Sequence, residues 1–231
     1  MDLSTKPLYL ITDGGELRQL GQLYERISRA LHAANGRISY VQIREQIIAS
    51  ETNSQVMPAS DAELADLCND IAPLCRKFEA KLILNRRVDL CRKLVVDGVH
   101  LGVHSTNIRD ARNELGSDVV IGYSAHSAAE AESALRQGAD YVFISPIFKP
   151  LSKESSRQVL GLSELKKAAL NCKKPVYALG GICAANVGAC RAAGAAGIAA
   201  IAELILAESP ELATDKLLSA WDFTNRTRRF G

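Results

Sequence analysis

Gly138-Ala139-Asp140-Tyr141-Val142 is the stretch whose recurrence decides the fold. Glycine, a small residue and an acid lead directly into an apolar run, the punctuation expected where a turn feeds a buried strand. Val96-Asp97-Gly98-Val99 repeats the pattern upstream, and Gly194-Ala195-Ala196-Gly197-Ile198 repeats it downstream. Similar junctions spaced around a chain point to one supersecondary unit used many times.

Working outward, short apolar runs alternate with segments of helical spacing. Strands are predicted over residues 8–12, 38–43, 81–84, 98–101, 119–121, 141–144, 176–179 and 197–201. Helices are predicted over 16–34, 61–78, 88–94, 108–114, 128–136, 163–170 and 185–193, with two short helical stretches from Ala202 and over 210–221. Residues 47–60 read as a polar loop. Ser60 with Glu63 three residues on has capping-box spacing for the second helix. Eight strand–helix units leave two architectures, a closed (β/α)₈ barrel or an open doubly wound sheet. The repeated junctions favour the α/β TIM (β/α)₈ barrel, and no GxGxxG follows the first strand. A length of 231 residues suits one domain spanning 1–231, since such barrels run to ~250 residues.

Composition narrows the function class. Net charge is +2, from 28 basic and 26 acidic residues, so no overall field draws the chain to nucleic acid or a membrane. Arg226, Arg228 and Arg229 read as a solvated end. No apolar run approaches the ~18 residues of a membrane helix, and the N-terminus has no signal-like core. Six cysteines without CxxC spacing read mostly as small buried residues of a reducing, cytoplasmic compartment. The 5% aromatic content suggests a sheet built from branched aliphatics.

In such a barrel the site lies at the C-terminal ends of the strands, with phosphate often held after strands seven and eight. Strand seven runs into Gly180-Gly181, and strand eight into Ile201-Ala202-Glu203, which opens a short helix. Glycine backbone and a helix start suit an anion, although Glu203 would compete for the same donors. At the end of strand two, alternation puts Gln42 and Arg44 on one face. Arg44 suits a phosphate, with pairing to another strand's acid as the structural alternative. Asn85 after strand three and Ser124 after strand five occupy equivalent positions. Lys153, in the loop after strand six, is either a cover for an anionic substrate or an ordinary solvated lysine. His100 reads as a core histidine, whereas His104 and His126 fall on loops suited to acid–base work.

Seven of these stretches, in register over nearly the whole chain, carry a resemblance to thiamine phosphate synthase and the related thiazole tautomerase. They are LYLITD (8–13), VQIRE (41–45), LILNRRVDL (82–90), DGVHLG (97–102), IGYSAHS (121–127), GADYVFISPIF (138–148) and PVYALGGI (175–182). The resemblance implies a (β/α)₈ barrel in which a hydroxymethylpyrimidine diphosphate ionises and the nitrogen of thiazole phosphate captures the cation. It matches Gln42, Arg44, Asn85 and Lys153 to the pyrimidine diphosphate ligands, and it retains the family's serine as Ser124. Thiazole phosphate is expected at Gly181, Ile201 and Ala202, with Ser152 at a family threonine. Members are often oligomeric, which leaves a homo-oligomer open.

Other positions depart from the pattern, among them Val103, where the family has a glutamine, and Ser145 and Pro150, where it has a glycine and a threonine. The two magnesium-binding aspartates of the synthases are Arg86 and Ser105 here, which removes the hard oxygen ligands Mg²⁺ needs. The lysine completing VQLREK is Gln46, and the tautomerase histidine corresponds to Pro146. Three functions therefore stand: a transferase of thiamine biosynthesis, with Arg44, Lys153 and Ser124 as its working groups; an isomerase of thiazole phosphate, using His104 or His126; and a non-catalytic barrel binding a phosphorylated ligand.

Overall fold

A computed structural model describes residues 6–12, 17, 21–44, 59–149 and 158–227. Eight strands form a closed, wholly parallel barrel in sequence order, β1 to β8. They are β1 (Leu8–Ile11), β2 (Ile38–Ile43), β3 (Lys81–Asn85), β4 (Gly98–Leu101), β5 (Val120–Ala125), β6 (Tyr141–Ile144), β7 (Val176–Leu179) and β8 (Gly197–Ala200). Pairing of Leu8 with Ile198 and Leu10 with Ala200 closes the seam. Around the barrel run α1 (Leu23–Ala34), α2 (Asp61–Lys77), α3 (Val88–Cys91), α4 (Ile108–Leu115), α5 (Ala128–Arg136), α6 (Gly161–Asn171), α7 (Val187–Ala192), the one-turn α8 (Ala202–Ile205) and α9 (Pro210–Thr227).

The repeated junction has a physical cause. The Asp97 carboxylate accepts a hydrogen bond from the Leu82 N–H at 2.8 Å, and the Asp140 carboxylate accepts one from Ile121 N–H at 2.9 Å. Each acid thus ties the start of its own strand to the preceding one at the bottom of the barrel. Gly138 (φ 114°) and Gly194 (φ 94°) make left-handed turns that L-residues rarely adopt. The Ser60–Glu63 capping box forms in full, hydroxyl to N3 and carboxylate back to the cap.

Several boundaries move. The helix predicted from residue 16 is interrupted by Gly21, which turns left-handed (φ 67°) just before Leu23 opens α1; Leu17 is helical, and residues 16 and 18–20 lie outside the described residues. Helix α3 is one turn rather than seven residues, and α7 is trimmed to Val187–Ala192. The last helix extends to Thr227. Strand β5 is twice the expected length, so Ser124 stands inside a strand rather than after it. The polar segment 47–60 lies outside the described residues, apart from Ala59 and Ser60.

The core is two separate layers. Outward-facing Leu8, Leu10, Val41, Ile43, Leu82, Leu84, Val142 and Ile144 pack beneath the helices, as branched aliphatics should. Inside, the expectation of aliphatic filling is overturned. Tyr9, Tyr40, Tyr141, Tyr177 and Phe143 pack against one another there with Ile11, Ile83, Val120 and Ala199. Space for these rings comes from inward glycines. Gly122 pairs with Tyr141 across β5–β6, and a β-carbon on it would collide with the Tyr141 ring. Gly197 pairs with Tyr177 across β7–β8, and a β-carbon there would stand 2.7 Å from the Tyr177 ring.

The terminal helix α9 packs on α1 and α7. Arg37 pairs with Asp222 through two hydrogen bonds of 2.7 and 2.8 Å, and the Arg191 guanidinium lies 5.1 Å from the Trp221 ring centroid. Arg26 of α1 donates to the carbonyls of Ile205 and Ala207, fastening α8 to the same corner.

Candidate active site

A cavity of about 390 Å³ opens at the C-terminal ends of the strands, the size range of a small-molecule site. It gathers most of the residues singled out from sequence: Gln42, Arg44, Asn85, Ser124, His104, His126, Gly181 and Ile201 all line it. Ala202 follows Ile201 as the first residue of α8. Ser152 and Lys153 lie outside the described residues.

The floor is polar because inward side chains at the strand ends meet no more barrel filling. Gln42 is buried; its Oε1 accepts from the Tyr9 hydroxyl at 3.1 Å, and its Nε2 donates to Asn85 Oδ1 at 3.0 Å. His100 is a core histidine as expected. Its Nδ1 meets the Tyr141 hydroxyl at 3.1 Å, and its Nε2 meets Ser124 Oγ at 2.8 Å. The His100–Ser124 contact was not foreseen, because it requires Ser124 to point inward from a strand. Period-two alternation, extended through 120–125, carries that signal.

Burial, reinforced by the nearby Arg86 charge, drives the His100 pKa down to about 3, so the ring is neutral at working pH. The folded-state pKa lies below the unfolded value near 6.5. The unfolded chain therefore binds the extra proton, and stability is lost as pH falls from about 6.5 toward 3. The loss from His100 between pH 7 and pH 5 should be about 2 kcal/mol. Urea titrations at both pH values should show His100→Gln with a correspondingly smaller acid loss; an unchanged loss would remove His100 from the account.

One rim is cationic. Arg44 follows β2, its backbone N–H donating to Thr12 Oγ1 at 2.8 Å. Arg86 follows β3 in a left-handed conformation (φ 63°), unusual for a side chain of its size. Its N–H donates to the His100 carbonyl at 2.9 Å, which holds the strained turn against β4. Arg44 and Arg86 both line the cavity.

The opposite rim is backbone. Gly180 (φ 97°) and Gly181 (φ 62°) turn left-handed in succession after β7. A β-carbon at Gly180 would stand 2.7 Å from Pro146 Cβ, and one at Gly181 2.8 Å from Phe148 Cβ. The loop after β6 seals onto this turn, with Ile147 and Phe148 N–H donating to the Leu179 and Gly180 carbonyls. Asn186 clamps it from below, donating to Gly181 O and accepting from Cys183 N–H, each at 2.8 Å. Two glycines are needed because two loops meet there. Glu203 also lines the cavity.

His126 and His104 stand on the rim. The His126 Nδ1 lies 2.6 Å from the Ser145 carbonyl oxygen, which fixes the ring across the loop after β6. His104 is exposed.

The magnesium implied by the resemblance is not matched by its donors. Arg86 occupies one ligand position as a cation. Ser105 turns away from the cavity, its hydroxyl accepting from Gly102 N–H at 2.9 Å within its own loop. Glu203 is the one carboxylate among the described lining residues. No group of three or more His, Cys, Asp or Glu among the described residues is placed to hold a metal ion. Nor is any described helix long and apolar enough to cross a membrane.

The sequence profile of the family described as thiamine monophosphate synthase matches residues 8–204. The thiamine-phosphate synthase of Desulfitobacterium hafniense (strain Y51) is 34% identical over 214 residues, covering 93% of this chain and 96% of that protein. That of Chlorobium luteolum is 39% identical over 166 residues, covering 72% and 78%. Among solved structures, thiamine phosphate pyrophosphorylase from Pyrococcus furiosus superposes with a TM-score of 0.78 at 29% identity, covering 96% of this chain and 98% of that one. With the barrel, the two-sided site and these relatives in agreement, the chain belongs to the thiamine monophosphate synthase family.

Proposed function

We propose that this protein is a thiamine-phosphate synthase, a transferase of thiamine biosynthesis that joins hydroxymethylpyrimidine diphosphate to thiazole phosphate and releases diphosphate. The observation that carries the reading is the division of one cavity into a paired-arginine rim, a neutral amide and hydroxyl floor, and a double-glycine rim. Relatives named for this reaction cover nearly the full chain.

The division suits the chemistry. The bond between the pyrimidine methylene carbon and its diphosphate oxygen breaks with both electrons leaving on oxygen. The thiazole nitrogen then supplies the pair for the new C–N bond, so no base is needed for the bond-forming step. Charge grows on the departing diphosphate, where Arg44 and Arg86 stabilise it more than they stabilise the bound substrate. Gln42, Asn85 and Ser124 orient the ring through neutral hydrogen bonds. The Gly180–Gly181 turn and the start of α8 offer backbone donors to the phosphate of the second substrate. Among the described lining residues Glu203 is the one carboxylate, so Arg86 takes over charge neutralisation that a metal would supply.

Incubating the purified protein with both precursors tests this directly. Thiamine phosphate should form, and chelating free magnesium with EDTA should lower the rate less than about tenfold, roughly one charge-assisted contact. Absence of product under both conditions would overturn the synthase reading. Isomerisation of thiazole phosphate that His104→Ala or His126→Ala removes would put the isomerase in its place.

A further inference from the structure

Beneath the cavity, six polar side chains form one unbroken line through the barrel. It runs from Asn85 to Gln42 (3.0 Å), to the Tyr9 hydroxyl (3.1 Å), to the Tyr141 hydroxyl (2.6 Å), to His100 Nδ1 (3.1 Å), and from His100 Nε2 to Ser124 (2.8 Å). The four inner members are buried, while Asn85 and Ser124 are half-exposed on the cavity wall. A line between two ligand-facing residues, through six strands, is more than core packing requires.

The protons along it are not independent. A phenol has one proton, and a neutral imidazole has one N–H and one bare nitrogen. Gln42 Oε1 only accepts, so Tyr9 must donate to it. Tyr9 oxygen then accepts from Tyr141, and Tyr141 oxygen accepts from His100 Nδ1–H. Nε2 is therefore bare, and the Ser124 hydroxyl must donate to it. Ser124 has only lone pairs to turn toward a ligand. Burial holds both phenols well above their ordinary pKa and His100 well below its own, so no member ionises and breaks the sequence.

We propose that Tyr9, Tyr141 and His100 are positioning residues, which carry the orientation of the Gln42 amide across the barrel and hold Ser124 as a hydrogen-bond acceptor toward the bound ring. The ligand group meeting Ser124 is then a donor, such as an exocyclic amine. The line has one other sense, with the Gln42 amide turned over and every link reversed, so that Ser124 donates instead. The first sense suits the cationic rim. With Asn85 Oδ1 committed to Gln42, any contact Asn85 makes to an anionic ligand comes from its amide nitrogen, a donor. The reversed line would aim an acceptor at the anion.

This inference rests on the synthase reading for its substrate but not for its first measurement. Nitrogen-15 NMR of histidine-labelled protein without ligand should show His100 as the neutral Nδ1–H tautomer, and Tyr141→Phe should change that tautomer or mix it. In turnover, Tyr141→Phe should raise KM for hydroxymethylpyrimidine diphosphate about tenfold, the upper range for one neutral hydrogen bond. KM for thiazole phosphate should stay within twofold, and the preference over a ring lacking the amino group should be lost. Tyr9→Phe, which cuts the same line one link away, should repeat the pattern and guards against a folding defect in either variant. An Nε2–H tautomer in the wild type, or an unchanged preference for the amino ring in both variants, would overturn the proposal. A wild type with the Nδ1–H tautomer but no turnover would instead sink the synthase reading.

Discussion

Replacing Arg44 by alanine should lower kcat/KM for hydroxymethylpyrimidine diphosphate by about 10²–10³-fold, the largest functional effect expected of one substitution here. Arg44 is fixed at the end of β2 by the bond from its N–H to Thr12 Oγ1, so its guanidinium is offered to the cavity from a rigid base. Negative charge concentrates on the diphosphate oxygens as the carbon–oxygen bond breaks, which makes the lost contact worth more in the transition state than in the complex. kcat should therefore fall along with kcat/KM. Arg44→Lys should recover only part of the rate, since a point charge cannot reproduce the planar fork. Steady-state kinetics with circular dichroism on each variant check this. A loss confined to KM, with kcat intact, would mean that Arg44 only binds.

The largest expected effect on stability belongs to a residue with no side chain. Gly122→Ala should destabilise the protein by about 3 kcal/mol, the cost of overpacking a rigid interior. That corresponds to a fall of about 6–12 °C in Tm for a chain of this size. The new methyl has nowhere to go, because Tyr141 fills the space and is itself held by Tyr9 and His100. The test is a double-mutant cycle. Introduced into Tyr141→Leu, the same alanine should cost much less, because the ring it strikes is gone. Equal costs in the two backgrounds would rule out the collision.

These two residues show what could be read in advance. Arg44 announced itself, as a charged residue ending a strand whose partner Gln42 lies two positions back on the same face. Gly122 did not. Both faces of a barrel strand are buried, so apolar alternation cannot tell the inside from the helix-covered outside, and the four interior tyrosines looked like ordinary strand residues. Their hydroxyls find partners from distant strands, Tyr9 with Tyr141 across 132 positions, and no local pattern encodes such a pairing. Strand order and most strand bounds were legible because turn chemistry punctuates them: β2, β4, β6 and β7 fall residue for residue where the runs placed them. Strand β5 was cut short because Gly122 and Ser124 look like turn residues, yet one makes room for a ring and the other ends the polar line. Arg86 and Ser105 were readable as departures, but only the structure shows that the first lines the cavity and the second faces its own loop. Ser152 and Lys153 fall outside the described residues.

The corner where α9 lies on α1 and α7 governs when the molecule can finish folding. Strand β8 and the arginine-fastened helices beyond it are the last parts of this barrel to be synthesised, yet they complete the seam with β1, the first strand made. Two strand edges therefore stay open until β8 is made and meets β1, and closing so long a loop is slow. Placing β8 just before β1 through a linker and opening the barrel between other strands would remove that wait, turning the seam into a local contact between neighbours in sequence.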